Sequence, residues 1–246
     1  MNIYELIGII IGDGHIVYSK RTRSYRLEIY GNSKEDKLFF NEISKFIQNE
    51  FNIKPKIVIK KDKKGEGLKL YIDNKKFVER LINELGLPYG NKTFTVKIPK
   101  KFLDWIYSKY IIKGIFESDG CLYFSKSKVF KYPTYPRIEI RSSSEELVKQ
   151  LVNIFKVRSY KIQTLKPKNS KTYKVYLSGS EMLEKWTKEI GFSNIKNKTK
   201  YLFWKKHKYY IPRLSLKQRV KVLGRWPNGK AIDVPKEQLN LQPFGG

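Results

Sequence analysis

The chain has 246 residues, enough for two domains of about 100 residues each or one larger one. With 40% hydrophobic and 14% aromatic residues it has the material for packed cores and is not a disordered tail. Lys and Arg total 51 against 23 Asp and Glu, a net charge of +28 that calls for a polyanionic partner, with a Lys-rich solvated surface as the plainer alternative.

The first predicted element is a helix over Ile3–Gly12, apolar on most faces. Its apolar run, residues 6–11, contains a glycine, is far too short to span a bilayer and lacks the basic flank of a signal peptide. The single cysteine, Cys121, excludes an internal disulfide, and one Cys with two distant His residues excludes a Cys/His zinc site. The expected setting is therefore intracellular and reducing: cytoplasm, nucleoid or an organelle matrix.

A strand and hairpin follow the helix. In the second strand Tyr25, Leu27 and Ile29 alternate with Arg26, Glu28 and Tyr30. A second helix is expected after Ser33 as N-cap. A second hairpin pairs 56–60 with 68–72, and an amphipathic helix over about 75–85 ends at Gly86, the expected C-cap glycine. The same order then begins again. LIGIIIGDG (6–14) recurs as IKGIFESDG (112–120), RLEIYGNSKED (26–36) as RIEIRSSSEEL (137–147), and KLYIDNKKFVERLINELGL (69–87) as KVYLSGSEMLEKWTKEIGF (174–192). The second copy is read as a helix over about 102–118, a hairpin, a helix after Ser144 as N-cap, a hairpin pairing 160–165 with 173–177, and a helix over about 181–190 before Gly191. Length differences fall at two hairpin tips, 60–67 and 126–136, where a repeated fold tolerates them. The domains are therefore residues 1–99 and 100–212. The extension 213–246, with Pro227, Gly229, Pro235 and Pro243, belongs to neither repeat and has no assigned role.

Gly8 and Gly12 are four residues apart, as are Gly114 and Ser118, so each first helix carries a flat stripe on which the two can meet closely. Close packing brings together the helix C-termini and with them Asp13 and Asp119, each just before a glycine. Two carboxylates at the negative ends of two helix dipoles repel each other, and divalent cations relieve that. An oxygen-rich site with room for phosphates suits Mg²⁺, and a metal pair can clamp both oxygens of a phosphodiester displacement. An Asp-Gly turn alone is ordinary; the same turn twice, at matching helix ends, is the signal. Asn-Lys-Thr also recurs after the closing helices, placing Lys92 and Lys198 equally far behind Asp13 and Asp119 as candidate charge-stabilising cations.

These paired motifs, in αββαββα order over about residues 3–205, resemble the LAGLIDADG homing endonucleases. The resemblance implies an α+β fold of two pseudo-symmetric αββαββα units, each a four-stranded antiparallel saddle, joined by a central two-helix interface. It implies an intron-encoded enzyme that cuts both DNA strands with Mg²⁺; Mn²⁺ is a possible substitute, and Ca²⁺ is expected to bind without supporting cleavage. Asp13 and Asp119 would bind metal, with main-chain carbonyls of Gly12 and Ser118. Lys92 and Lys198 would sit at the active site, and Asn32 and Ser143 would orient metal-bound water unless they only shape a turn. The sixth motif position, often acidic, is Ile11 in one copy and Glu117 in the other. His15, opposite Cys121, is read as structural or DNA-facing.

The outward strand face carries Arg26, Glu28, Tyr30, Lys56, Lys60, Lys69 and Tyr71, matched by Arg137, Glu139, Arg141, Lys161, Gln163, Lys174 and Tyr176. Basic residues interleaved with Tyr, Gln and Glu suit phosphates and base edges in a major groove. A seven-residue strand spans roughly 23 Å. Two saddles end to end would cover about 15 to 20 base pairs of asymmetric duplex, with one chain sufficient and no dimer required. No membrane partner is expected. The alternatives on this fold are a maturase that binds intron RNA and a sequence-specific DNA-binding protein that does not cut. An intein origin is not expected, since no protein-splicing residues flank the chain.

Overall fold

The computed structural model describes residues 1–224 apart from 63, 64, 127 and 129. The first repeat runs α1 (Ile3–Gly12), β1 (Gly14–Ser19), β2 (Ser24–Asn32), α2 (Lys37–Phe51), β3 (Lys56–Asp62), β4 (Gly65–Asp73) and α3 (Lys75–Asn83). A 3-10 turn at Lys100–Phe102 leads to the second: α4 (Trp105–Asp119), β5 (Gly120–Ser125), β6 (Tyr135–Ser142), α5 (Glu145–Val157), β7 (Ile162–Leu165), β8 (Tyr173–Ser178) and α6 (Ser180–Glu189). Two further helices follow, α7 (Ile195–His207) and α8 (Leu216–Leu223). Each repeat forms one antiparallel four-stranded sheet, ordered β1-β2-β4-β3 and β5-β6-β8-β7. This is the pair of αββαββα units that the repeat predicts. Among the described residues no helix is long and apolar enough to cross a membrane.

One core runs through both repeats, because α1 and α4 are buried against each other at its centre. Their approach is as close as backbones allow. A Cβ on Gly8 would lie 2.0 Å from the Ile111 carbonyl oxygen, and one on Gly114 would lie 2.1 Å from that of Glu5. On the sheets, Leu27, Ile29, Leu70 and Ile72 are buried, as are their counterparts Ile138, Ile140, Val175 and Leu177. The charged residues between them face the other way, as alternation requires.

Several boundaries differ from the sequence reading for local reasons. Ser33 does not cap α2. Residues 33–36 form a turn in which Asn32 Oδ1 accepts from the amides of Lys34 (2.8 Å) and Glu35 (3.2 Å), so α2 starts later, after Asp36. Ser144 does cap α5, accepting from the Leu147 amide. α4 starts at Trp105 and not near 102, because Asp104 caps it through the Ile106 amide (2.9 Å). Gly86 and Gly191 end their helices at φ 72° and 76°. The start of the C-terminal extension forms α8, and α8 packs on α7. Its remainder, 225–246, including Pro227, Gly229, Pro235 and Pro243, lies outside the described residues.

Candidate active site and nucleic-acid face

Asp13 is the C-cap residue of α1 and Asp119 the last residue of α4. The glycine stripe that lets the helices touch also fixes the distance between these carboxylates. A Cβ on Gly12 would fall 2.0 Å from Ser118 Oγ and 3.2 Å from Asp119 Oδ2, so Asp119 reaches across to the residue beside Asp13. Asp13 is half-buried; Asp119 is crowded by protein yet open to solvent on one side, as a substrate site must be. Burial pushes the Asp13 carboxyl up to about 7, with Asp119 and then Asp36 adding to the shift and Lys92 and Lys196 opposing it. Burial raises Asp119 as well, against the pull of Lys92. Both carboxylates therefore favour a counter-charge at neutral pH.

Lys92 supplies one. It leaves the turn after α3 and points its ammonium at the C-terminus of α1, donating to the carbonyls of Ile10 (2.7 Å), Ile11 and Gly12 (2.7 Å). Three acceptors match its three protons, at the negative end of a helix. Burial lowers its pKa to about 8, while Asp119 and Asp13 hold it up.

The expected twin, Lys198, sits in a different local setting. The second Asn-Lys-Thr triplet lies inside α7, whereas the first lies in a turn. There Asn197 Nδ2 donates to buried Glu117 (2.8 Å), Thr199 Oγ1 donates to the Ile195 carbonyl (2.7 Å), and Lys198 acts on Glu42 of α2. Glu42 also feels the chain's N-terminus and Glu5. The second cation near Asp13 is Lys196, whose Nζ lies 2.9 Å from Asp36 Oδ1. Burial works against its charge, but Asp36 outweighs burial and the pKa ends above its ordinary value.

Asn32 and Ser143 are likewise occupied elsewhere: Asn32 Oδ1 by the turn amides, and the Ser143 hydroxyl by Thr172 Oγ1 at 3.2 Å. Asn32 thus shapes its turn, while Ser143 ties the end of β6 to the residue before β8. It is Asp36, four residues past Asn32 at the strand end, that reaches Asp13 electrostatically. Asp36, Asn194 and Lys196 are the residues that sequence reading missed. Their signal was faint, because Asp36 aligns with Leu147 in the other repeat and Lys196 with Gly90.

Do these groups suit a divalent metal? Two carboxylates meet with the Gly12 and Ser118 main chain beside them, and both carboxylates are disfavoured as unpaired anions. Among the described residues no three His, Cys, Asp or Glu side chains form a closed metal cage. An open set of two carboxylates plus carbonyls leaves coordination positions for water and phosphate, which fits Mg²⁺ and does not fit a structural zinc site. Gly12 offers its carbonyl only in competition with Lys92.

The outward sheet faces extend on both sides of this pair. In the first repeat the cross-strand rows are His15–Glu28–Tyr71–Lys56 and Tyr30–Lys69–Val58. In the second they are Cys121–Glu139–Tyr176–Gln163 and Arg141–Lys174–Leu165. Lys60 faces outward opposite Gly67, and Arg26 and Arg137 face outward opposite Asp73 and Ser178. The faces hold every expected DNA-contacting residue except Lys161. That residue precedes β7 and pairs with Glu181 of α6 at 2.8 Å, so Gln163, not Lys161, is the counterpart of Lys56. Register also adds His15, Cys121, Tyr123, Val58 and Leu165 to these faces.

Glu28 and Glu139 are the buried members of an otherwise accessible set, 8% and 3% exposed. Glu28 accepts from Lys69 (2.5 Å) and Tyr30 (2.7 Å), and Glu139 accepts from Arg141 and Tyr123. Their carboxylates are taken up by these neighbouring donors, with little surface left exposed. Tyr71 gathers Arg26, Lys56 and Lys69 over its ring at 4.9 to 5.8 Å.

A family model described as a LAGLIDADG-like domain matches residues 2–86, and one described as a WhiA LAGLIDADG-like domain matches residues 108–201. A replication factor C small subunit of Methanocaldococcus jannaschii is 30% identical over 197 residues, 71% of this chain. The chain spans only 10% of that relative's length. Among solved structures, the homing endonuclease I-DmoI in complex with DNA and Mn is 22% identical with a TM-score of 0.53, covering 77% of this chain and 96% of that one. The homing endonuclease I-WcaI bound to its DNA recognition sequence is 16% identical with a TM-score of 0.55, covering 77% and 81%. The N-terminal LAGLIDADG domain of DUF199/WhiA is 14% identical with a TM-score of 0.51, covering 78% and 81%. At these identities the likeness to the structures is one of fold.

Proposed function

This chain belongs to the LAGLIDADG family, and on that premise we propose that it is a sequence-specific endonuclease that cuts both strands of a long, asymmetric DNA duplex. One observation carries the reading: Asp13 and Asp119 meet at the contact of two glycine-striped helices, between two outward basic sheet faces. The phosphate backbone binds to Lys and Arg on the sheets, and Tyr, Gln and Lys side chains meet base edges. Asp13 and Asp119, with the Ser118 carbonyl and that of Gly12 in competition with Lys92, would hold the divalent metal. A divalent cation held there would supply Lewis-acid chemistry at the scissile phosphate. Lys92 keeps a positive charge next to both carboxylates, where it steadies the added negative charge of the transition state.

The test is selection of cleaved sites from a randomised duplex library with Mg²⁺. Enrichment of one asymmetric sequence among cut products is expected. Enrichment among bound but uncut duplexes would instead support a DNA-binding protein without cleavage, a second reading favoured by the WhiA match of the second repeat.

Two further results are expected. Lys92→Met should slow cutting by about 10²-fold with binding retained, whereas Lys198→Met should stay within about three-fold of the parent. Equal losses in the two variants, measured in single-turnover assays, would contradict the placement of Lys198. The second concerns pH. Protons compete with metal for Asp13 up to about pH 7. The rise in melting temperature on adding Mg²⁺ should therefore be small at pH 6 and grow through pH 8. A rise independent of pH would mean that the metal binds elsewhere.

A further inference from the structure

Arg219 is the most deeply buried cation of the described chain, at 1% exposed, and lies in the extension for which sequence offered no role. A buried guanidinium is tolerated only when its donors are matched. Its Nε donates to Thr199 of α7 (3.0 Å), and Nη1 donates to the Tyr210 hydroxyl (3.3 Å) and the Leu214 carbonyl. Thr199 and Tyr210 belong to the end of the second repeat and Leu214 to the start of the extension, so all three lie in the C-terminal half of the chain. The fourth partner does not: Nη2 lies 3.3 Å from Glu35 Oε1, in the turn of the first repeat.

The adjacent residue, Asp36, is held from the same side. Its Oδ1 accepts from Asn194 Nδ2 (2.7 Å) and Lys196 Nζ (2.9 Å), while Oδ2 accepts from the Asn32 amide (2.8 Å). So α7, α8 and the residues before them grip two consecutive acidic residues of one turn. That turn leaves Asp36 within electrostatic range of Asp13. No such grip is built on the other side of the site, where the aligned residues are Leu147 for Asp36, Pro88 for Asn194 and Gly90 for Lys196.

We propose that α7 and α8 form a one-sided brace: Arg219 is a positioning residue that fixes the 33–36 turn through Glu35, and thereby sets Asp36 and Lys196 against Asp13. The proposal deepens the endonuclease reading of this site and rests on it for its catalytic consequence. Because the brace serves one of two pseudo-symmetric halves, its loss should unbalance cutting of the two strands.

The experiment uses the full chain carrying Arg219→Met, Arg219→Lys or Glu35→Gln. Amide exchange over residues 33–36 reports the brace, and a duplex labelled separately on each strand reports cutting. For Arg219→Met we expect exchange about ten-fold faster at 33–36, with target binding in Ca²⁺ within about three-fold of the parent. One strand should be cut at least about ten-fold more slowly and the other within about three-fold, so that nicked duplex accumulates. Arg219→Lys should fall between, and Glu35→Gln should show the same strand bias more weakly. Unchanged exchange at 33–36, or equal slowing of both strands, overturns the proposal. Should Arg219→Met fail to fold, Glu35→Gln carries the test with the same two outcomes. If the parent cuts neither strand, the endonuclease reading falls, and exchange at 33–36 alone decides whether the brace exists.

Discussion

Asp13→Asn is expected to abolish cutting and, in metal-free buffer at pH 8, to raise the melting temperature. The two effects have one cause. The Asp13 carboxyl titrates near 7 in the folded chain instead of near 3.8, through burial first and Asp119 second. A raised folded pKa means that the native state holds a proton which the unfolded chain releases between those values. The associated stability is fully present below about 3.8 and is lost as pH rises through about 7. At pH 8 the ionised pair is therefore a cost, on the order of 2 kcal/mol after allowance for solvent screening on its open side. Asparagine removes that cost, and for a chain of this size the gain is roughly 4 to 8 °C. At pH 5 the difference should shrink to roughly 40% of its pH 8 value, and it should vanish only below about 3.8. Catalysis goes the other way, since asparagine is a poor ligand for a hard cation, and cutting should fall by about 10³-fold or more with binding intact. Asp119→Asn should lose cutting to a similar degree. Cleavage that survives the Asp13→Asn, Asp119→Asn double variant would show that other acids do the chemistry.

The helix pair was legible because its signal is both strong and duplicated. Ile3–Gly12 is apolar on nearly every face, and only burial against a like partner satisfies that. The small-residue spacing of Gly8, Gly12, Gly114 and Ser118 is a steric statement that needs no tertiary information, and the contacts confirm it. Strand faces were legible from alternation, down to the opposed rows of Glu28 with Tyr71 and Glu139 with Tyr176.

Repetition misled where identical residues fold differently. Asn91-Lys92-Thr93 sits in a turn and Asn197-Lys198-Thr199 in a helix, so equal spacing behind Asp13 and Asp119 gave two different local settings. α7 itself hides its character. Tyr201, Leu202, Phe203 and Trp204 are consecutive and all buried, with no amphipathic stripe to reveal the helix. Asp36 was invisible for a different reason: an acidic residue at a helix start reads as a cap, and only the arrival of Asn194 and Lys196 from some 160 positions away makes it part of the site.

The largest structural effect is expected from one methyl group. In Gly114→Ala the new Cβ would lie 2.1 Å from the Glu5 carbonyl oxygen, 2.7 Å from the Ile9 nitrogen and 2.9 Å from the Gly8 Cα. All three are backbone atoms of the facing helix, so no rotamer change can relieve the overlap, and α1 and α4 must move apart. Alanine's helix propensity returns about 1 kcal/mol, against an overpacking cost of about 3 kcal/mol or more. Denaturant midpoints should fall accordingly. Gly8→Ala, whose Cβ meets the Ile111 carbonyl oxygen at 2.0 Å, should behave alike. Gly67→Ala is the control: its Cβ has nothing nearer than 3.9 Å, so its stability should stay within about 0.5 kcal/mol of the parent. Cutting is the sharper readout. The same contact that the methyl group forces open spaces Asp13 from Asp119, and a displacement of about 1 Å in a reacting geometry costs about 10²-fold. Gly114→Ala should therefore lose cutting even at temperatures where it remains folded and binds duplex through its sheets. A Gly114→Ala protein that melts and cuts like its parent would mean that the helix contact does not set the spacing of the carboxylates.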